Sequence, residues 1–123
     1  MRLAAAMVAM SGCLWGQAPA ADPFVLATAI ARMEGWWSGP EALVRRQHNP
    51  CALVFAGQRA AERGAGGYAR FRTDGDGWAA CERDLRLKLA RGLGPAAIID
   101  VWTTDPVARS RYRVLFRQLR LLP

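Results

Sequence analysis

The sequence predicts a mainly helical α+β domain with about four helices around one small β-hairpin. Three observations carry this. Asp22-Pro23 and Asp105-Pro106 each place an N-cap acid before a proline, the start signal of a helix. Apolar residues follow at helical spacing in several segments. Two short stretches, "CALVFAG" at 51–57 and "YARFR" at 68–72, are apolar or alternating as strands prefer. A chain of 123 residues fits a single domain.

Residues 1–20 read as a removable secretion signal. Arg2 gives a positive start, Leu3 to Trp15 is apolar but too short to span a bilayer, and Ala18-Pro19-Ala20 has the small-x-small form of a cleavage site. Ser11-Gly12-Cys13 also resembles a lipobox, although Met10 fits its first position poorly. A lipid on Cys13 and an anchoring N-terminal helix are the alternatives. The expectation is a single domain over residues 21–123, periplasmic or extracellular, monomeric and at most peripheral to a membrane.

The first helix starts at Asp22-Pro23 and carries Leu26, Ile30 and Met33 at helical spacing. Gly35 ends it, since glycine takes the left-handed position after a helix at low cost. Glu34 therefore stands on the last turn, where the helix dipole disfavours negative charge and raises a carboxyl pKa. Residues 36–50 read as loop, with Gly39-Pro40 and Asn49-Pro50 as turn signals. The stretches 51–57 and 68–72 pair as the hairpin, joined by the glycine-rich loop "QRAAERGAGG". The segment 73–92 opens with capping residues and places Trp78, Cys81, Leu85 and Leu89 on one face of a helix ended by Gly92 and Gly94-Pro95. Its Asp-Gly-Asp-Gly run lacks the third acid and distal glutamate of a calcium loop. A short buried helix spans 95–102. The last helix runs from Asp105-Pro106 to about Leu121. It groups Arg109, Arg113, Arg117 and Arg120 within about 80° of arc, while Tyr112, Leu115 and Leu119 lie on another face.

The 17 basic and 10 acidic residues give a net charge of +7, and loss of residues 1–20 lowers it by one. Such a balance favours an anionic partner: cell-wall polymer, membrane surface or nucleic acid. Cys51 and Cys81 remain after the signal, either as a disulfide suited to an oxidising compartment or as two buried free thiols. One histidine and two separated cysteines fall short of a zinc set. No phosphate loop or serine triad is visible, so neither metal nor cofactor is expected.

The ordered pieces "AIARMEGWW", "RRQHNP", "FAGQ", "GGYARF", "DGWAACERDL" and "VWTTDPVARSRY" resemble the lysozyme-like superfamily. They are most similar to its small bacterial and phage-associated peptidoglycan-cleaving domains of lytic-transglycosylase or glucosaminidase type. The resemblance covers about residues 26–118. In that family a helix ends in Glu-Gly-aromatic, followed by an Asn-Asn-Pro-Gly-Asn segment, a hairpin, an aromatic strand, a Gly-Trp-Ala-Ala helix and a tyrosine-bearing last helix. The resemblance implies that Glu34 is the catalytic acid, that Tyr112 stands near it, and that Asn49-Pro50 lines the cleft. The chain departs from the pattern at His48, Cys51 and Ala52, which replace an asparagine, the glycine and the last asparagine. If those asparagines hold the sugar in the family, binding by this segment is altered or lost. Cys81 replaces a usually apolar residue, and the paired cysteine departures favour a private disulfide.

Cleaving a glycosidic bond requires protonating a poor leaving oxygen, and a carboxyl of ordinary pKa is ionised at neutral pH. Burial against Met33, Trp36 and Trp37 would disfavour the charged form and keep Glu34 protonated. Trp37, His48, Asn49 and Tyr68 are expected to bind substrate, with Trp78 and Trp102 in the core. No second carboxylate stands in an obvious acid motif; Glu62, Asp74, Asp76, Asp100 and Asp105 are the candidates. This favours transglycosylase chemistry, which needs one carboxyl, over two-carboxylate hydrolysis. The competing readings are a lysozyme-like protein that binds glycan without cutting it, and a basic nucleic-acid binder using the arginine face, which the secretion signal opposes.

Overall fold

The computed structural model describes residues 21–123. The expected signal segment, with Arg2, Cys13 and Ala18-Pro19-Ala20, lies outside the described residues. Within them, five α-helices and one two-stranded antiparallel sheet follow in the order α1 (Pro23–Met33), α2 (Leu43–Arg46), β1 (Ala61–Arg63), β2 (Ala69–Phe71), α3 (Asp74–Ala90), α4 (Pro95–Trp102) and α5 (Pro106–Gln118). None of these helices is long and apolar enough to cross a membrane.

Helix α1 begins as its sequence dictates. The Asp22 carboxylate accepts the Phe24 N–H, and Pro23 needs no partner in the first turn. It buries Leu26, Ala27, Ile30 and Ala31 and packs on α3 and α5. Gly35, at φ 90°, ends it in a Schellman motif: its N–H bonds the Arg32 carbonyl, and the Trp36 N–H bonds the Ala31 carbonyl. That turn folds Trp36 back over Ala31 and Val44, a small apolar cluster joined by Trp78. The main core gathers Leu26 and Ile30, Cys81 and Leu85 of α3, Ile98 and Ile99 of α4, and Tyr112, Leu115 and Phe116 of α5.

Helix α3 carries the expected apolar face and opens at the expected capping segment: Thr73 is the N-cap, its hydroxyl accepting the Asp76 N–H. Its first turn presses on the His48–Pro50 turn. A Cβ on Gly77 would stand 1.9 Å from the His48 carbonyl oxygen, so glycine is required there. The bridge Cys51–Cys81 locks the same contact, with Cα atoms 6.0 Å apart. A disulfide, not a pair of free thiols, therefore joins α3 to this turn.

Three expectations are corrected. The segment 36–50 contains α2, which buries Val44 against Trp36. The hairpin pairs β1 with β2 in the register Ala61↔Phe71, Glu62↔Arg70 and Arg63↔Ala69, so its first strand lies in the segment read as loop. Residues 51–57 contribute only the isolated bridge Val54↔Tyr68. Ala52, at φ 53°, breaks their extension, and the Asn49 side chain occupies both backbone groups of Leu53. The last helix stops at Gln118, because Arg120 turns left-handed at φ 58° and the Leu121 N–H closes on Phe116.

Candidate active site

Glu34 is the C-cap of α1, half-buried, its backbone fixed by the Gly35 turn. Tyr112 reaches it from α5, 78 residues away in sequence, and donates its hydroxyl hydrogen to Glu34 Oε1. Tyr112 can do so because Asp105 caps α5 through Val107 and Ala108, while Leu115 and Phe116 anchor the helix in the core. The Tyr112 ring also packs edge-on against Phe116 at 6.1 Å.

Burial raises the Glu34 carboxyl above its ordinary value of 4.5, and the Tyr112 hydrogen bond works against that rise by favouring the anion. Burial also raises the Tyr112 hydroxyl, and the neighbouring Glu34 pushes the same way through its charge and hydrogen bond. Tyr112 thus remains a donor, and Glu34 holds its proton to higher pH than a solvated carboxyl. One carboxyl oxygen, Oε1, is occupied by Tyr112, which leaves Oε2 for proton exchange.

The tryptophans divide between core and surface. Trp36 is buried in the Ala31–Val44 cluster, where Arg45 stacks over it at 4.5 Å. Trp37 is 57% exposed and leans on Trp78, with ring centroids 6.2 Å apart. Trp78 and Trp102 are partly buried against the main core.

Asn49 does not present itself to a ligand. It is 1% exposed, its Nδ2 donates to the carbonyls of Leu53 and Ala69, and its Oδ1 accepts the Leu53 N–H. A buried amide with these partners holds the turn onto β2, so the expectation that it binds substrate is replaced by a structural role. His48, partly exposed, bonds Asp74 through Nδ1 at 2.7 Å. Tyr68 lies beside Gly66 on the hairpin side and is 36% exposed. Of the residues expected at the site, a direct bond brings together Glu34 and Tyr112.

Several other carboxylates have separate duties. Asp22 and Asp105 cap helices, Asp74 holds His48, and Asp76 bonds Thr73. Asp100 accepts from Arg113 at 3.0 Å, and Glu62 faces Arg70 at 3.9 Å. The Asp100 pair, with the Arg109 guanidinium on the Thr103 and Asp100 carbonyls, ties α4 to α5, so two arginines of the predicted basic face serve the fold. Arg120 lies beyond α5.

The described residues enclose several hollows. An open groove of about 450 Å³ between α1 and α5 is lined by Arg32, Met33, Arg111, Val114 and Leu115, the chain neighbours of Glu34 and Tyr112 among them. A second, of about 480 Å³, lies between α3 and the loop 53–59. Two more border the hairpin. Glu34 itself lines none of these four. Among the described residues, no group of three or more His, Cys, Asp and Glu side chains converges as a metal site.

No protein-family model matches the chain, and neither does any curated protein or solved structure. The chemistry of the site accordingly rests on its own residues.

Proposed function

We propose that the protein is an exported, lysozyme-like enzyme that cleaves the glycan strands of peptidoglycan with Glu34 as general acid and base. The observation that carries the reading is the half-buried Glu34 carboxyl, raised by desolvation and bonded through Oε1 to a tyrosine that stays protonated. A carboxyl in that state donates a proton at a pH where a solvated one has already lost it.

The step runs through Oε2. Its proton passes to the glycosidic oxygen as the bond from that oxygen to the anomeric carbon breaks. The sugar's own 6-hydroxyl oxygen then bonds to the anomeric carbon, and its proton returns to Glu34. Atoms balance without added water, and the product ends in an anhydro sugar. Tyr112 stabilises the carboxylate between the two transfers by donating to Oε1. The commitment of Asp22, Asp74, Asp76, Asp100 and Asp105 to caps and ion pairs favours this single-carboxyl route over hydrolysis with two. Trp37, exposed beside Trp78, supplies an indole face for a sugar ring.

A second reading, a glycan binder that does not cut, is favoured by the burial of Asn49, which takes it out of reach of a sugar. Digestion of purified peptidoglycan by the wild type and by Glu34→Gln separates the two. Soluble fragments released by the wild type alone support the enzyme; binding without release supports the binder.

A further inference from the structure

The hairpin side carries polar hollows that the chemistry at Glu34 does not use. One, of about 360 Å³, is lined by His48, Glu62, Arg70, Phe71 and Arg72 together with Ala60 and Ala61. Arg70 also borders the next, of about 340 Å³, which Arg46 and Arg63 line as well. Four arginines thus line two hollows that share Arg70, although Arg63 also stacks over Phe55 at 5.2 Å; Glu62 is the carboxylate of the lining, and Asp74 stands behind His48. Glu62 stands 3.9 Å from Arg70, with the two side chains 73% and 59% exposed, so it holds Arg70 weakly and a ligand can displace it.

His48 is fixed at the edge of the first hollow. Its backbone is left-handed at φ 51°, and its carbonyl is pinned against Gly77. Its Nδ1 bonds Asp74 Oδ1 at 2.7 Å. A carboxylate accepts, so the hydrogen sits on Nδ1, and Nε2 is an acceptor that suits a peptide N–H of a stem and not its carboxylate.

We propose that these two hollows, which share Arg70 as a lining residue, bind the carboxylates of the peptide stems carried by the glycan substrate. The identity of the ligand rests on the peptidoglycan reading above. The site's own chemistry selects carboxylates: planar guanidinium forks match them in pairs, and each volume suits a group of amino-acid size. The site orients a strand by its stems, separately from the carboxyl that cuts it.

The test is titration calorimetry of the full chain carrying Glu34→Gln, which prevents turnover, with a soluble disaccharide-peptide bearing free stem carboxylates. The expected result is saturable binding, about tenfold weaker in Arg70→Gln/Arg72→Gln and weakened further by salt. Both arginines are exposed surface residues, and an unchanged melting curve of the variant verifies its fold. Unchanged affinity in the variant, or equal binding of the same compound with amidated stems, overturns the proposal. Inorganic phosphate that displaces the ligand at lower concentration than free stem peptide would reassign the hollows to phosphate and also overturn it. Cleavage of whole peptidoglycan by the wild type is read in parallel. Stem binding without cleavage rejects the enzyme reading and keeps this one; cleavage with no effect of the arginine substitutions on binding does the reverse.

Discussion

Reducing the Cys51–Cys81 bridge should destabilise the domain by an amount its loop length sets. The two cysteines are 30 residues apart and both are fully buried. In the chain-entropy description, closing a loop of that length removes about 12 cal/mol/K from the unfolded ensemble, or about 3.6 kcal/mol at 25 °C. A domain of roughly 100 residues shifts its Tm by about 4 °C or more per kcal/mol, so reduction should lower the Tm by about 15 °C. That is a large share of a total stability of about 5–15 kcal/mol. The bridge joins α3 to the turn after α2, and α3 also packs on α1, whose end bears Glu34. Melting followed by circular dichroism, with and without reductant, is the assay. Intact mass first shows the loss of two hydrogens in the oxidised chain. The Cys51→Ala/Cys81→Ala chain should melt no higher than the reduced one, since it also loses buried sulfur. Oxidised and reduced forms melting within about 3 °C of each other would refute the loop argument.

Gly77→Ala forces a methyl against the His48 carbonyl and should cost about 3 kcal/mol or more, read as a lowered denaturant midpoint at unchanged slope; a neutral result would mean that α3 is not pressed on that turn. Asn49→Ala removes the acceptor of the Leu53 N–H and a donor to the buried Ala69 carbonyl and should cost about 2–4 kcal/mol, with loss of hydrogen-exchange protection at Leu53. Tyr112→Phe removes the hydrogen bond to Glu34 and should cost about 1.5 kcal/mol at neutral pH while moving the Glu34 pKa further upward. The sign for Glu34 itself follows from its raised pKa: the folded state binds this proton more tightly than the unfolded state does. Its contribution to stability is full below the ordinary carboxyl value of 4.5 and is lost as pH rises through the raised folded value. Glu34→Gln should therefore raise the Tm at neutral pH and remove that part of the pH dependence; a neutral-pH Tm lowered by the substitution would reverse the sign.

Helix starts were legible because their signals are local. Asp22-Pro23 and Asp105-Pro106 cap their helices with their own carboxylates, and Gly35 and Gly92 end helices through left-handed backbone. The hairpin register was not legible. The apolar run 51–57 has the composition of a strand, yet the Asn49 side chain takes the Leu53 N–H and Ala52 turns left-handed, so the run pairs only at the Val54↔Tyr68 bridge, a tertiary effect that composition does not encode. The left-handed Arg120 ended α5 early for the same reason: nothing in its residue type announces φ 58°. At the candidate site, the pairing of Glu34 with Tyr112 spans 78 residues and came from family resemblance, since no local pattern links them. The role of Gly77 was open to view in the sequence only as one glycine among 12; its requirement comes from a carbonyl on another segment.

The most direct measurement is mass spectrometry of the soluble products released from purified peptidoglycan by the wild type and by Glu34→Gln, each verified as folded. General acid catalysis contributes about 100- to 10,000-fold, so the substitution should reduce release at least 100-fold while binding to the wall persists. The wild-type products should carry anhydro ends, as one carboxyl acting in turn as acid and base requires. Reducing ends would replace the single-carboxyl route with hydrolysis. Undiminished release by Glu34→Gln, or no release by the wild type, would contradict the assignment of Glu34 as the acid.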